Sequence, residues 1–345
     1  MLKIGIIGCG KIAQYRHIPE YLANEKAKIV GYFDFNTARA QNMAEEFGGK
    51  AYDSYQALLA NREIDAVSVC TTNISHAEIT IAALEAGKHV LCEKPMATSM
   101  KACQDMVDTA KKQSRFLMIG HNQRLAKAHV RAKELLASGL IGEIVSFRTT
   151  FGHPGPETWS IDPGPDTWFF DQNLAVMGVM GDLGIHKTDL IHYLTGQRIV
   201  ETTARLHTLN KLNKEGDPIS VDDNAFCIYR LEGGAVGTMH VSWTFYGSED
   251  NSTIIYGTKG IMRIYDEPAY AIRVNTLDDE EILFNIDRIQ TNESQTKSSV
   301  IDAFVESVLE NKEPEISGEA VLDSMRVIFA SVESSDLRRP VIIKH

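Results

Sequence analysis

Residues 4–13 read Ile-Gly-Ile-Ile-Gly-Cys-Gly-Lys-Ile-Ala, an apolar strand run that breaks directly into Gly8-x-Gly10-x-x-Ala13. Few folds accept that pattern. In a nucleotide-binding strand-to-helix turn the first glycine allows the tight turn and the second lets the backbone approach a pyrophosphate. The third small residue lets the helix pack on the strand. Gly8, Gly10 and Ala13 fill these places, with Lys11 between them and Ile12 opening the helix whose N-terminus attracts phosphate. Asp34 ends the second β-rich run, Val30-Gly-Tyr-Phe-Asp, at the separation where an acid meets an adenosine ribose. A carboxylate accepts hydrogen bonds from a ribose diol and repels a 2′-phosphate, so the expected coenzyme is NAD. Arg39, close behind in the sequence, keeps NADP open.

The runs that follow support this placement. Strand-like segments at 2–7, 28–33, 65–70, 88–92 and 116–120, with a weaker one at 50–52, alternate with helical patterns, as in a parallel sheet built from βαβ units. Most are continuous apolar runs, which suits strands covered on both faces. Ser75 and Glu78 match a capping box and Gly87 closes the same segment, predicting a helix over 76–86. After a further helix at 124–138, β-type runs succeed one another at 143–151, 199–209, 221–231, 235–244, 252–257, 260–265, 270–275 and 280–285. Helices at 297–311 and 317–334 and a closing strand from Pro340 complete the chain. The expectation is an α/β protein in two parts: a doubly wound parallel Rossmann sheet over 1–122, then an α+β domain with a large, mostly antiparallel open sheet over 123–345.

Composition narrows the function classes. A chain of 345 residues exceeds what one core usually organises. Its 43% hydrophobic content contains no apolar run near the ~18 residues of a membrane span. The net charge of −11, without a basic stripe, disfavours nucleic acid. Five cysteines without a C-x-x-C pair disfavour disulfides and a zinc cluster. Met1 passes straight into strand-like sequence with no room for a signal peptide, so the cytoplasm is expected.

Two further stretches carry chemistry. Glu93-Lys94-Pro95 follows the strand at 88–92, and Asp182, His186 and Asp189 stand at i, i+4 and i+7, which places all three on one face of a regular helix. An imidazole titrating near neutrality can take a proton from an alcohol, and a neighbouring carboxylate orients it. His186 is therefore the expected acid/base group, Asp182 its partner or a substrate ligand, and Asp189 an orienting group. The same residues, extended by His192, also suit a metal. The acid/base reading is preferred because hydride transfer needs a base and a cation, and Lys94 supplies the charge.

Gly8-x-Gly10-x-x-Ala13, Asn73-x-x-His76, Glu93-Lys94-Pro95 and Asp182-x-Gly184-x-His186-x-x-Asp189 together resemble, in order and spacing, the glucose–fructose oxidoreductase/inositol dehydrogenase/rhizopine-catabolism (Gfo/Idh/MocA) family. Thr72 departs from the proline that family often carries there. The resemblance implies coenzyme contacts from Thr71, Asn73, His76, Glu93 and Lys94. It places Lys94 where nicotinamide meets substrate, and it puts Asn122, Arg124 and Trp168 near the substrate. Trp159 and Trp168 lie in the stiff loop from Gly152 to Phe170, suited to cover a sugar ring or to pack internally.

The function this implies is an NAD(P)-dependent dehydrogenase or reductase acting on a secondary alcohol of a sugar, polyol or inositol-like compound. Two other classes remain: a glycoside-cleaving enzyme that oxidises its sugar transiently, and a non-catalytic NAD-binding sensor. The acid/base residues argue against the sensor. A long open antiparallel sheet leaves one face to be covered, so a homodimer or homotetramer through the second domain is expected.

Overall fold

The computed structural model describes residues 1–289 and 297–345. The chain divides into two compact units. The first holds Met1–Asn122, Asn173–Val176 and, of the described residues, 297–322; the second holds Gln123–Gln172, 177–289 and Asp323–His345.

In the first unit, β1 (Leu2–Ile7), β2 (Ala27–Phe33), β3 (Lys50–Ala51), β4 (Ala66–Val69), β5 (His89–Cys92) and β6 (Leu117–Ile119) form a parallel sheet in the order β3-β2-β1-β4-β5-β6. Strand β4 is buried at every position and β1 and β5 at nearly every one, as their continuous apolar sequences require. The helices are α1 (Ile18–Leu22), α2 (Thr37–Phe47), α3 (Tyr55–Leu59), α4 (His76–Glu85) and α5 (Met100–Gln113). The strand order turns at β1 and β4, and ligands of open α/β sheets bind outside the carboxyl ends of strands at such a point.

The predicted capping box does not form. A 3₁₀ turn over Asn73–Ser75 precedes α4, and Ser75 Oγ donates to Thr71 Oγ1 and the Thr72 carbonyl, while Glu78 accepts from the Tyr55 hydroxyl. The turn already pairs the first amide of α4, His76 N with the Asn73 carbonyl, so the serine is released for another bond.

The second unit opens with α6 (Lys127–Ala137) and carries α7 (Ile185–Thr195) under a nine-stranded sheet. Its strands are β7 (Ile144–Gly152), β8 (Ile199–His207), β9 (Asn224–Leu231), β10 (Val236–Ser242), β11 (Thr253–Gly257), β12 (Gly260–Glu267), β13 (Tyr270–Thr276), β14 (Glu281–Phe284) and β15 (Val341–Ile342). They lie in the order β14-β13-β12-β11-β7-β10-β9-β8-β15, antiparallel throughout except for the parallel pair β7 and β10. The predicted helix at 124–138 is split: Asn122–Leu125 is a 3₁₀ turn, and α6 follows it. The predicted helices at 297–311 and 317–334 appear as α8 (Val300–Glu310), which belongs to the first unit, and α9 (Gly318–Leu337), whose residues divide between the two.

Candidate active site

The glycine turn of the first unit is shaped as its sequence requires. Gly8 has φ +93°, and a Cβ there would lie 2.6 Å from the Cys70 carbonyl carbon and oxygen, so only glycine fits. At Gly10 an added Cβ would meet nothing within 4 Å, which leaves the backbone open to a close-approaching group. Asp34 turns its carboxylate onto the turn, accepting from Cys9 N at 2.7 Å and from Asn36 N at 2.7 Å. Burial, then the charge of Asp34, pushes the Cys9 thiol up to about 12, so it stays protonated there. The Lys11 ammonium lies 3.5 Å from the centre of the Tyr15 ring. An open backbone at Gly10, an acid at the end of β2 and a helix starting at Lys11 fit the pyrophosphate and ribose of a dinucleotide.

That helix passes after Ile12 into a five-residue π turn, Ala13–His17, in which Ala13 and His17 are fully buried. Thr71, Asn73 and His76, expected as coenzyme contacts, make bonds within the unit. The Thr71 hydroxyl accepts from Ser75, and the Asn73 amide donates to the Ala175 carbonyl at 2.9 Å. The His76 ring nitrogens lie 2.8 Å from the Pro95 carbonyl and 3.1 Å from that of Thr71, and burial lowers the pKa of the ring. These side chains therefore shape the ends of β4 and β5, where Lys94 is presented half-buried. Glu93 is buried, accepts from His17 Nε2 at 2.9 Å, and takes the Lys94 amide on its other oxygen at 3.2 Å. Asn122 lies in the 3₁₀ turn that follows β6, its amide bonded to the Gly120 carbonyl.

In the second unit Asp182 lies just before the regular helix that carries His186 and Asp189. Residues Met180–Gly184 form a second π turn, and α7 starts only at Ile185. Each of the two carboxylates is held by a donor from elsewhere in the unit. The Trp243 indole N–H donates to Asp182 Oδ2 at 3.1 Å, while Asp189 receives Arg124 through Nε at 2.7 Å and a terminal nitrogen at 2.6 Å. Arg124, expected near the substrate, is a buried ion-pair residue that secures α7. His186 is buried between these two anchors in sequence, its ring 6.0 Å from that of Phe151.

The metal alternative loses its fourth member. His192 Nε2 accepts the Ile199 amide at 3.1 Å and its Nδ1 faces Ser324 Oγ at 3.1 Å, and burial brings its pKa down to about 4. Among the described residues no group of three or more His, Cys, Asp or Glu side chains is arranged to hold a metal ion.

The loop between β7 and the π turn packs its aromatics on one another. Trp168 stacks on Phe169 at 3.8 Å, Phe169 meets Trp159 at 5.1 Å and Trp243 at 6.3 Å, and His153 lies between Phe151 and Trp159. Lys211 pairs with Glu157 at the base of the loop.

Sequence reasoning missed four residues that fix these groups. His17 lies one turn beyond the fingerprint, on the helix it predicts. Trp243 follows β10. Asp222 accepts Gly178 N at 2.9 Å and Met180 N at 2.8 Å, capping the π turn that carries Asp182. Lys187, fully buried, donates to the Asn251 carbonyl at 2.9 Å and to Thr253 Oγ1 at 3.2 Å. Only the spacing of His17 from Ala13 was available as a signal; the other three act through contacts distant in sequence.

A Rossmann unit with a dinucleotide turn, joined in sequence to a unit in which Asp182 and His186 are both buried, fits a nicotinamide-dependent oxidoreductase. Comparison with known proteins makes the assignment specific. Residues 2–121 match the model of the oxidoreductase family with NAD-binding Rossmann fold, and residues 129–263 match the GFO/IDH/MocA C-terminal domain. The chain is 31% identical to D-glucoside 3-dehydrogenase of Escherichia coli, over 70% of each protein. It is 27% identical to myo-inositol 2-dehydrogenase of Thermotoga maritima, over 99% of this chain and 98% of that protein. Among solved structures, levoglucosan dehydrogenase in complex with NADH and levoglucosan superposes with a TM-score of 0.83 at 25% identity, covering 100% of this chain and 99% of that one. The chain belongs to the Gfo/Idh/MocA family of oxidoreductases, and its coenzyme is a nicotinamide dinucleotide, NAD.

Proposed function

We propose that the chain interconverts a secondary hydroxyl and a ketone on a sugar, polyol or inositol-like ring, with His186 as the acid/base group and Lys94 as the cation at the reacting oxygen. NAD, when bound, supplies the hydride acceptor. His186 takes the hydroxyl proton during oxidation and returns it during reduction. The Lys94 ammonium orients the hydroxyl and stabilises negative charge on its oxygen as the carbon–hydrogen bond breaks. Asp182, held by Trp243, orients the imidazole or a neighbouring hydroxyl, and Asp189 fixes the helix through Arg124.

The observation that carries this reading is the anchoring of the segment that bears His186: carboxylates before and after it in sequence are each locked by a separate buried donor. Relatives named for myo-inositol, glucosides and levoglucosan support a hydroxylated ring as substrate. The stacked Trp168 and Phe169 suit the apolar face of such a ring. The test is a panel of inositols, polyols, aldoses and glycosides, followed by the absorbance of reduced nicotinamide with NAD and with NADP. NADH formation with one member, abolished in Lys94→Ala and His186→Ala, is the expected result. Full turnover in His186→Ala, or sugar release from a glycoside without net NADH, overturns it.

The same reading extends to assembly and location. Phe226 and Ile228 on β9 and Val236 on β10 are 42%, 52% and 44% exposed on one face of the nine-stranded sheet, where a second copy of this chain packs. All five cysteines are buried thiols, as suits the cytoplasm.

A further inference from the structure

The imidazole of His17 is fully buried, yet it belongs to the helix whose first residues form the dinucleotide turn. The π turn Ala13–His17 sets it there, and such insertions concentrate at functional sites. Its Nε2 lies 2.9 Å from Glu93 Oε1, and a carboxylate only accepts, so this nitrogen carries the proton and donates. Burial alone would raise the Glu93 carboxyl. The His17 hydrogen bond and the charges of His17, Arg16 and Lys94 outweigh it and hold the group near 2, so the acceptor is charged at any working pH.

Gly120 leaves the space that Glu93 fills. A Cβ on Gly120 would stand 2.9 Å from Glu93 Oε1 and 3.0 Å from its carboxyl carbon, so the glycine at the end of β6 makes the room this side chain occupies. Oε2 is then left to take the Lys94 amide at 3.2 Å. The chain of contacts runs from the coenzyme-binding helix through one imidazole and one carboxylate to the backbone of the lysine proposed to act at the reacting oxygen.

We infer that His17 is a positioning residue for hydride transfer, setting Lys94 through the buried Glu93 carboxylate and so tying the Lys94 loop to the helix that receives the coenzyme. The inference rests on the proposed role of Lys94. Losing the hydrogen bond leaves a buried carboxylate free to reorient and the Lys94 amide with it, while the glycine turn that binds the coenzyme is untouched.

The test uses the full chain and the panel member that turns over fastest. His17→Leu is expected to lower kcat by about tenfold or more, with the KM of that substrate and the Kd for NADH, read by fluorescence titration, within about twofold of the parent. His17→Gln, whose amide can still donate, recovers most of the loss. Glu93→Gln reproduces the kcat defect, and the double variant His17→Leu/Glu93→Gln loses no more than either single one. Unchanged kcat in a folded His17→Leu protein overturns the inference. So does an equal loss in His17→Leu and His17→Gln that follows lowered Tm. Lys94→Ala, run in parallel, separates the two readings: normal turnover there removes the role of Lys94 itself. An inactive Lys94→Ala beside a fully active His17→Leu removes only the role of His17.

Discussion

The Arg124 guanidinium holds the Asp189 carboxylate by two bonds, Nε to Oδ2 at 2.7 Å and a terminal nitrogen to Oδ1 at 2.6 Å, with side chains 9% and 2% exposed. Ser324 adds a third donor to Oδ1 at 3.0 Å. A buried pair of this kind is sensitive to removal of one member, because the survivor keeps its charge without compensation. Asp189→Ala is expected to cost about 3–5 kcal/mol in urea unfolding, and Arg124→Met/Asp189→Leu to recover most of that loss. A double variant no more stable than Asp189→Ala would show that the carboxylate acts through contacts other than Arg124.

The two glycines of the dinucleotide turn separate stability from binding. Gly8→Ala forces a Cβ to 2.6 Å from the Cys70 backbone at a positive φ and should destabilise the first unit by about 3 kcal/mol. Gly10→Ala meets no protein atom within 4 Å, so its Tm stays within a degree or two of the parent while NADH binding weakens at least about tenfold. Thermal melts beside NADH titrations check both. Equal NADH affinity in Gly10→Ala and the parent would remove the phosphate-contact role assigned to that glycine.

The parallel sheet was legible because its buried strands are unbroken apolar runs, and the glycine turn because each of its residues answers to a steric demand. The two π turns were not. Nothing in the side-chain pattern of residues 13–17 or 180–184 marks one extra residue in a turn, so a uniform 3.6-residue period read Asp182 as part of the regular helix that carries His186 and Asp189. The helix α7 is buried at nearly every position, which removes the amphipathic contrast that would have fixed its orientation. Trp243, Asp222 and Arg124 reach their partners across dozens of residues, and local spacing carries no trace of such contacts. Ser75 shows the converse error: a correct capping sequence lost its bond to a 3₁₀ turn that had already paired the first amide.

Assembly through the second unit has a direct test. Ile228 stands 52% exposed opposite Thr238 on β10, with Phe226 beside it stacked on His240 at 4.2 Å. A charge placed there is buried without a partner if a second copy covers the face. Ile228→Asp is expected to convert a dimer or tetramer to monomer in light scattering with the secondary structure unchanged. A parent protein that is already monomeric would contradict the interface.

Lys187 predicts how stability follows pH. Burial brings its ammonium from an ordinary value of 10.5 down to about 7, although Asp250 and Glu249 pull the other way. Its two hydrogen bonds, to the Asn251 carbonyl and Thr253 Oγ1, need only the two N–H groups of a neutral amine. The unfolded chain therefore binds a proton at this group over the window from 7 to 10.5 that the folded chain does not, so stability rises with pH across it. Below pH 7 both states are charged and the burial penalty is present in full. Relative to Lys187→Met, whose other titrating groups are the same, the parent should gain on the order of 4 kcal/mol between pH 7 and 10. Urea unfolding of both proteins at several pH values measures that difference directly. A constant difference across the window would mean that the buried amine keeps its proton, held by Asp250 and Glu249 against the cost of burial.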